Sequence, residues 1–112
     1  MSAITTHVLD TSLGKPAAGV AGRLDRQSAA GDWVEVGRGV TDIDGRIRDL
    51  LEGALDTGTY RLTFDTGAYF RALDVPCFYS QVAIEFVVLD PGQHYHVPLL
   101  ISPFGYSTYR GS

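Results

Sequence analysis

Apolar and polar residues alternate along this chain with a period of two rather than 3.6, the mark of strands with one buried face. Val82, Ile84, Phe86 and Val88 take turns with Gln81, Ala83, Glu85 and Val87. Trp33-Val34-Glu35-Val36 and Tyr60-Arg61-Leu62-Thr63-Phe64 behave similarly. Turn signals cut these runs: Gly14-Lys15-Pro16, Ala30-Gly31-Asp32, Asp44-Gly45, Asp56-Thr57-Gly58 and Asp90-Pro91-Gly92, each holding residues of fixed or permissive φ. The pattern predicts about eight short strands, near 3–10, 18–27, 32–39, 46–51, 58–65, 80–89, 94–102 and 105–110, spaced as in an all-β sandwich. One stretch departs from it. Gly67-Ala68-Tyr69-Phe70-Arg71-Ala72-Leu73 lacks β-branched residues and predicts a turn or two of helix that ends before Pro76.

The same pleating sorts the histidines. In 94–102, Tyr95, Val97, Leu99 and Ile101 share one face, the natural core face, and His94, His96, Pro98 and Leu100 share the other. If Ile4 and Val8 face the core, His7 points outward as well. Both sets of histidines then lie on an outer sheet surface. A monomer has no pocket on such a face, so a pocket has to form between subunits.

Length and composition narrow the classes. The 112 residues make one domain, 1–112, large enough to hold one core without a large private cavity. The net charge is −4 and the nine basic residues are scattered, which argues against nucleic acid as a partner, since phosphate binding needs a clustered basic face. Cys77 is alone, so no intrachain disulfide is available. No apolar run approaches the roughly 18 residues of a membrane span. Met1 to His7 carry neither a basic nor an apolar leader segment. The default expectation is a soluble cytoplasmic protein without a membrane partner.

Three places could carry chemistry. The first is the histidines. A lone strand histidine is commonly structural, but His94-x-His96 aims two side chains at one ligand, as general acid, general base or metal ligand. Zinc would need a third ligand, which His7 supplies only if its strand lies beside 94–102. The second is Arg46, after Asp42-Ile43-Asp44-Gly45. It reads either as a solvated turn arginine or as an oriented guanidinium able to hold an anionic or carbonyl-rich ligand through two parallel hydrogen bonds. The third is the tail Tyr109-Arg110-Gly111-Ser112. It is either a frayed edge strand or a piece of a site offering a phenol, a hydroxyl and a terminal carboxylate.

Ile4-Thr5-Thr6-His7-Val8-Leu9-Asp10-Thr11 with Gly14-Lys15-Pro16-Ala17, Thr41-Asp42-Ile43-Asp44-Gly45-Arg46, His94-Tyr95-His96-Val97-Pro98-Leu99-Leu100, and the closing Tyr109-Arg110-Gly111-Ser112 together resemble the motifs of the 5-hydroxyisourate hydrolases. These are the transthyretin-related enzymes of urate breakdown. The similarity spans nearly the whole chain and is most specific at its two ends. Phe70 to Cys77 departs from it, being less aromatic than the usual family segment. The resemblance implies a transthyretin-like β-sandwich of two four-stranded sheets with one short helix. It also implies a homotetramer, a dimer of dimers, with sites in a channel between dimers. His7 and His96 would lie on neighbouring strands, Arg46 on the far side of His7, and the tail beside His96. The implied activity opens the cyclic amide of 5-hydroxyisourate to 2-oxo-4-hydroxy-4-carboxy-5-ureidoimidazoline, with no cofactor and no metal. His7 would activate water, His96 would orient it or act as proton partner, and Arg46 would hold the substrate. Tyr109 and Ser112 would bind ring polar atoms, leaving His94 a supporting or structural role. Two rivals stand beside it: a non-enzymatic small-ligand carrier, and a zinc-dependent amidohydrolase using His7, His94 and His96.

Overall fold

The computed structural model describes residues 2–112. Its elements in chain order are β1 (Ile4–Asp10), β2 (Lys15–Pro16), β3 (Ala21–Gln27), β4 (Trp33–Val40), β5 (Arg46–Ile47), β6 (Gly58–Phe64), α1 (Thr66–Ala72), β7 (Val82–Val88), β8 (Tyr95–Ser102) and β9 (Gly105–Thr108). One sheet has the order β4-β3-β6-β7, with every pairing antiparallel. The other runs β2-β1-β8-β9, with β5 also paired to β1. At its centre β1 and β8, from opposite ends of the chain, run parallel with Thr5 opposite His96 and His7 opposite Pro98.

The core lies between the sheets. Ile4, Val8, Tyr95, Val97, Leu99 and Ile101 face Leu24, Tyr60, Leu62 and Phe64, all buried. The alternation expected for 94–102 therefore holds, and the outward-facing histidines follow from it. The helix occupies 66–72, close to the expected 67–73. Asp65 caps it by accepting from the Ala68 N–H at 3.1 Å. The Tyr69 hydroxyl then ties it to β1 by donating to the buried Asp10 carboxylate at 2.8 Å. Burial and that carboxylate push the Tyr69 phenol up.

One sheet departs from the expected four strands. It has five, because the segment predicted as a strand over 46–51 is extended only at Arg46–Ile47, and Lys15–Pro16 pairs beside it on the same edge of β1. The cause is a break in alternation. Leu50 and Leu51 are consecutive and both buried, so the chain leaves the pleat and crosses towards β4, where the Glu52 N–H donates to the Val36 carbonyl at 3.0 Å. The crossing is tight: a Cβ on Gly37 would collide with the Leu50 carbonyl. Gly37→Ala is expected to lower unfolding free energy by about 1–3 kcal/mol, the usual cost of overpacking, measured by urea denaturation.

Candidate active site

Arg46 is aimed by its own turn. Gly45 sits at φ +76, and a Cβ there would run into the Val8 carbonyl, so this tight approach to β1 requires glycine. The Gly45 carbonyl accepts from the Val8 N–H at 2.7 Å. The Asp42 carboxylate accepts from the N–H groups of Asp44 at 2.9 Å and Arg46 at 3.0 Å. Those bonds, with Arg48 beside them, hold the Asp42 carboxyl below the ordinary carboxylate range. Arg46 is thus fixed directly across from His7 in the ladder.

On the other side of β1, His96 is held from several directions. Its Nδ1 lies 2.8 Å from the Thr5 hydroxyl, which is also 2.9 Å from Nε2 of His94. Its carbonyl accepts from the Gly111 N–H at 2.9 Å, which brings the tail alongside. Gly111 packs so close that a Cβ would lie 2.6 Å from His96 Cδ2. Burial first, then the charges of Arg46, His7 and His94, holds the His96 imidazole below the ordinary histidine value. In a neutral imidazole one nitrogen carries the proton and the other is the base, so the role the Thr5 hydroxyl plays at Nδ1 sets which nitrogen is free.

Thr5, Arg46, Arg48, His94, His96 and Ser112 line an open cleft of about 260 Å³ on this outer face. The structure so gathers Arg46, His96 and Ser112, with His7 at the neighbouring register position between Arg46 and Pro98. Tyr109 is not with them. It is 61% exposed and lines a second, apolar groove of about 260 Å³ with Ile84, Phe86, Tyr95, Val97 and Arg110; His96 borders both. A larger hollow, about 420 Å³, is on the other sheet among Arg23, Arg38, Asp65 and Gln81, away from the histidines. Two cleft residues escaped sequence reasoning, Thr5 and Arg48. For Thr5 parity was the available signal, since it lies two residues from His7 on the same face of β1; Arg48 lies just past β5, two residues after Arg46. Among the described residues no three His, Cys, Asp or Glu side chains gather as a metal-binding group. For His94 Nε2 and His96 Nδ1 to ligate a metal, both would first have to give up Thr5.

Residues 4–111 match the HIUase/Transthyretin family. The chain belongs to that family. It is 50% identical to 5-hydroxyisourate hydrolase 2 of Rhizobium meliloti, over 97% of this chain and 95% of that one. Among solved structures, 5-hydroxyisourate hydrolase of Klebsiella pneumoniae superposes with TM-score 0.84 at 40% identity, covering 97% of this chain and 98% of that one. Sea bream transthyretin in complex with thyroxine gives 0.92 at 33% identity, covering 98% and 95%. Within the HIUase/Transthyretin family the sandwich is therefore shared by hydrolases and by a thyroxine-binding protein, and the decision between those activities falls to the cleft.

Proposed function

We propose that this chain is a 5-hydroxyisourate hydrolase, opening the cyclic amide of its substrate in urate degradation. The observation that carries the reading is the meeting of His96, Arg46 and Ser112 around one cleft with His7 beside it, in a chain half identical to a hydrolase of that name. Hydrolysis of an amide needs a base to activate water and a cation or donors where negative charge develops. His96 suits the first task. Its pKa is held below the ordinary histidine value, and with the proton on Nδ1, facing Thr5, its Nε2 can take a proton from water. Sequence reasoning assigned the base to His7. The anchoring and lowered basicity of His96 favour it instead, with His7 as proton partner to the substrate. Arg46 grips the ring carbonyls and offsets charge on the oxygen as the carbon becomes tetrahedral. Ser112 supplies a hydroxyl to ring polar atoms. No cofactor enters these steps.

Turnover of freshly made 5-hydroxyisourate in the presence of a strong chelator tests the reading. Sustained hydrolysis is expected. No hydrolysis would favour the carrier, and chelator-sensitive hydrolysis the zinc enzyme. Arg46→Lys keeps the charge but loses the planar fork. It is expected to lower kcat/KM by about 10- to 100-fold, towards the value of a lost oxyanion donor; a fully active lysine variant would replace bidentate grip with simple attraction.

The same reading includes a homotetramer, a dimer of dimers. The outer edges of β7 and β9 have no strand partner among the described residues, and Val87, Leu89 and Tyr109 near them are exposed apolar side chains. Such edges are satisfied by symmetric pairing across a two-fold axis. The histidine cleft is open on its outer side, so a second copy would close it and exclude water. Tyr109, in the adjoining groove, then acts at the interface. No helix among the described residues is long and apolar enough to cross a membrane, and a cytoplasmic setting goes with this reading.

A further inference from the structure

Two neighbouring threonines on β1 have opposite duties. Thr6 faces inward, and its hydroxyl donates to the Val97 carbonyl at 2.5 Å. Thr5 faces the outer, histidine side, yet it is only 6% exposed because His94 and His96 close over it. Its Oγ1 touches one nitrogen of each ring. A hydroxyl has one proton and two lone pairs. It can donate to only one ring, so at least one of His94 Nε2 and His96 Nδ1 must carry a proton and donate to it.

From this geometry we infer that Thr5 is a positioning residue that fixes the tautomer of His96, with His94 as its anchor. The inference rests on His96 being the base of the proposed hydrolysis. Thr5 donates its proton to Nε2 of His94 and accepts from Nδ1–H of His96. His96 is thereby held with the proton on Nδ1 and the lone pair on Nε2, the nitrogen left for water. The opposite arrangement, Thr5 donating to Nδ1, would place the proton on Nε2 and leave no base. Free histidine in water prefers the proton on Nε2, so the required form has to be imposed. The Nδ1–H···Oγ1 bond also steadies the imidazolium formed when Nε2 takes up a proton, as a carboxylate does in the serine protease triad. Gly111 lies on the Cδ2 side of the ring, so close that an added Cβ would come within 2.6 Å of that atom. The pair of histidines two apart is then a unit with separate parts: His96 meets water, and His94 holds the hydroxyl that holds His96.

Two variants and one spectrum test this. Thr5→Val keeps the β-branched shape and removes the hydroxyl; Thr5→Ser keeps the hydroxyl. Thr5→Val is expected to lower kcat by about 10- to 100-fold with KM within about twofold, short of losing the base itself. Thr5→Ser is expected to recover most of the loss. A merely structural threonine would not produce that split. Nitrogen-15 spectra of the histidine rings need no substrate. They are expected to show His96 protonated at Nδ1 in the unaltered protein and shifted towards Nε2–H in Thr5→Val. A wild-type His96 protonated at Nε2 would overturn the inference whatever the variants do, and so would a fully active Thr5→Val. Should the protein not hydrolyse 5-hydroxyisourate while the spectra show the Nδ1–H form, the functional reading fails and the tautomer assignment stands.

Discussion

His96→Ala is expected to lower kcat/KM by about 10²–10⁴-fold, and His7→Ala to fall within the same range nearer its lower end, as loss of acid–base groups does. Neither ring belongs to the apolar core, so both variants should fold; His96→Ala, which takes a partner from the buried Thr5 hydroxyl, is expected to cost about 1 kcal/mol. The pH profile adds a direction. As the proposed base, His96 would work only while unprotonated, so kcat/KM is expected to fall as pH drops through its pKa. Burial and the facing charges of Arg46, His7 and His94 place that acid limb below the ordinary histidine value of 6.5. Arg48 lines the same cleft and adds charge of the same sign. Stopped-flow assays across pH, with circular dichroism for folding, read both effects. Near-full activity in both folded variants would remove the site from this face of the sheet.

Deleting Tyr109 to Ser112 should abolish activity while leaving most of the folded structure. Gly111 bonds to the His96 carbonyl and packs on its ring, and Ser112 lines the cleft. Arg110 lies over the Tyr95 ring at 4.6 Å and donates to Gln93 at 2.8 Å, which keeps the tail against β8. None of the four belongs to the core. We expect a rate loss of at least about 10²-fold, the scale of a disturbed general base, with a modest fall in thermal midpoint. Light scattering separates two routes to this loss. A tetramer that stays assembled but inactive points to the cleft chemistry; a dissociated protein points to Tyr109 and the unpaired edge. A truncated chain that keeps full activity would overturn the role given to the tail.

The strands were legible because alternation is a local property with a strong cause, one wet face and one dry. Tyr95, Val97, Leu99 and Ile101 turned inward as their parity demands, and that alone put His94 and His96 outside. The helix was legible for a similar reason, a short run without β-branched side chains. The strand expected at 46–51 failed where the local rule did, at two adjacent buried leucines whose partners lie on the other sheet. The neighbourhood of β1 and β8 was beyond any local pattern. Only the family motifs at the two ends suggested it. Thr5 was hidden by its type, since a threonine in a strand invites no chemical reading until the two rings beside it are seen. Tyr109 and Ser112, close in sequence, parted because the tail leaves the β9 ladder after Thr108 and rejoins β8 only at Gly111.

The parallel seam between β1 and β8 has a kinetic meaning. Thr5 and His96 are 91 residues apart in the chain, so the proposed base and the residue that positions it meet only after a loop of that length has closed. Closure entropy grows slowly with loop length but must be met before any contact across the seam rewards it. The β3-β4 hairpin, by contrast, joins across a short turn. A chain that has built that hairpin and not yet zipped its ends has strands, a partial core and no enzyme. Hydrolysis is thus a signal of completed folding, and whatever opens the seam extinguishes activity before it erases the sandwich.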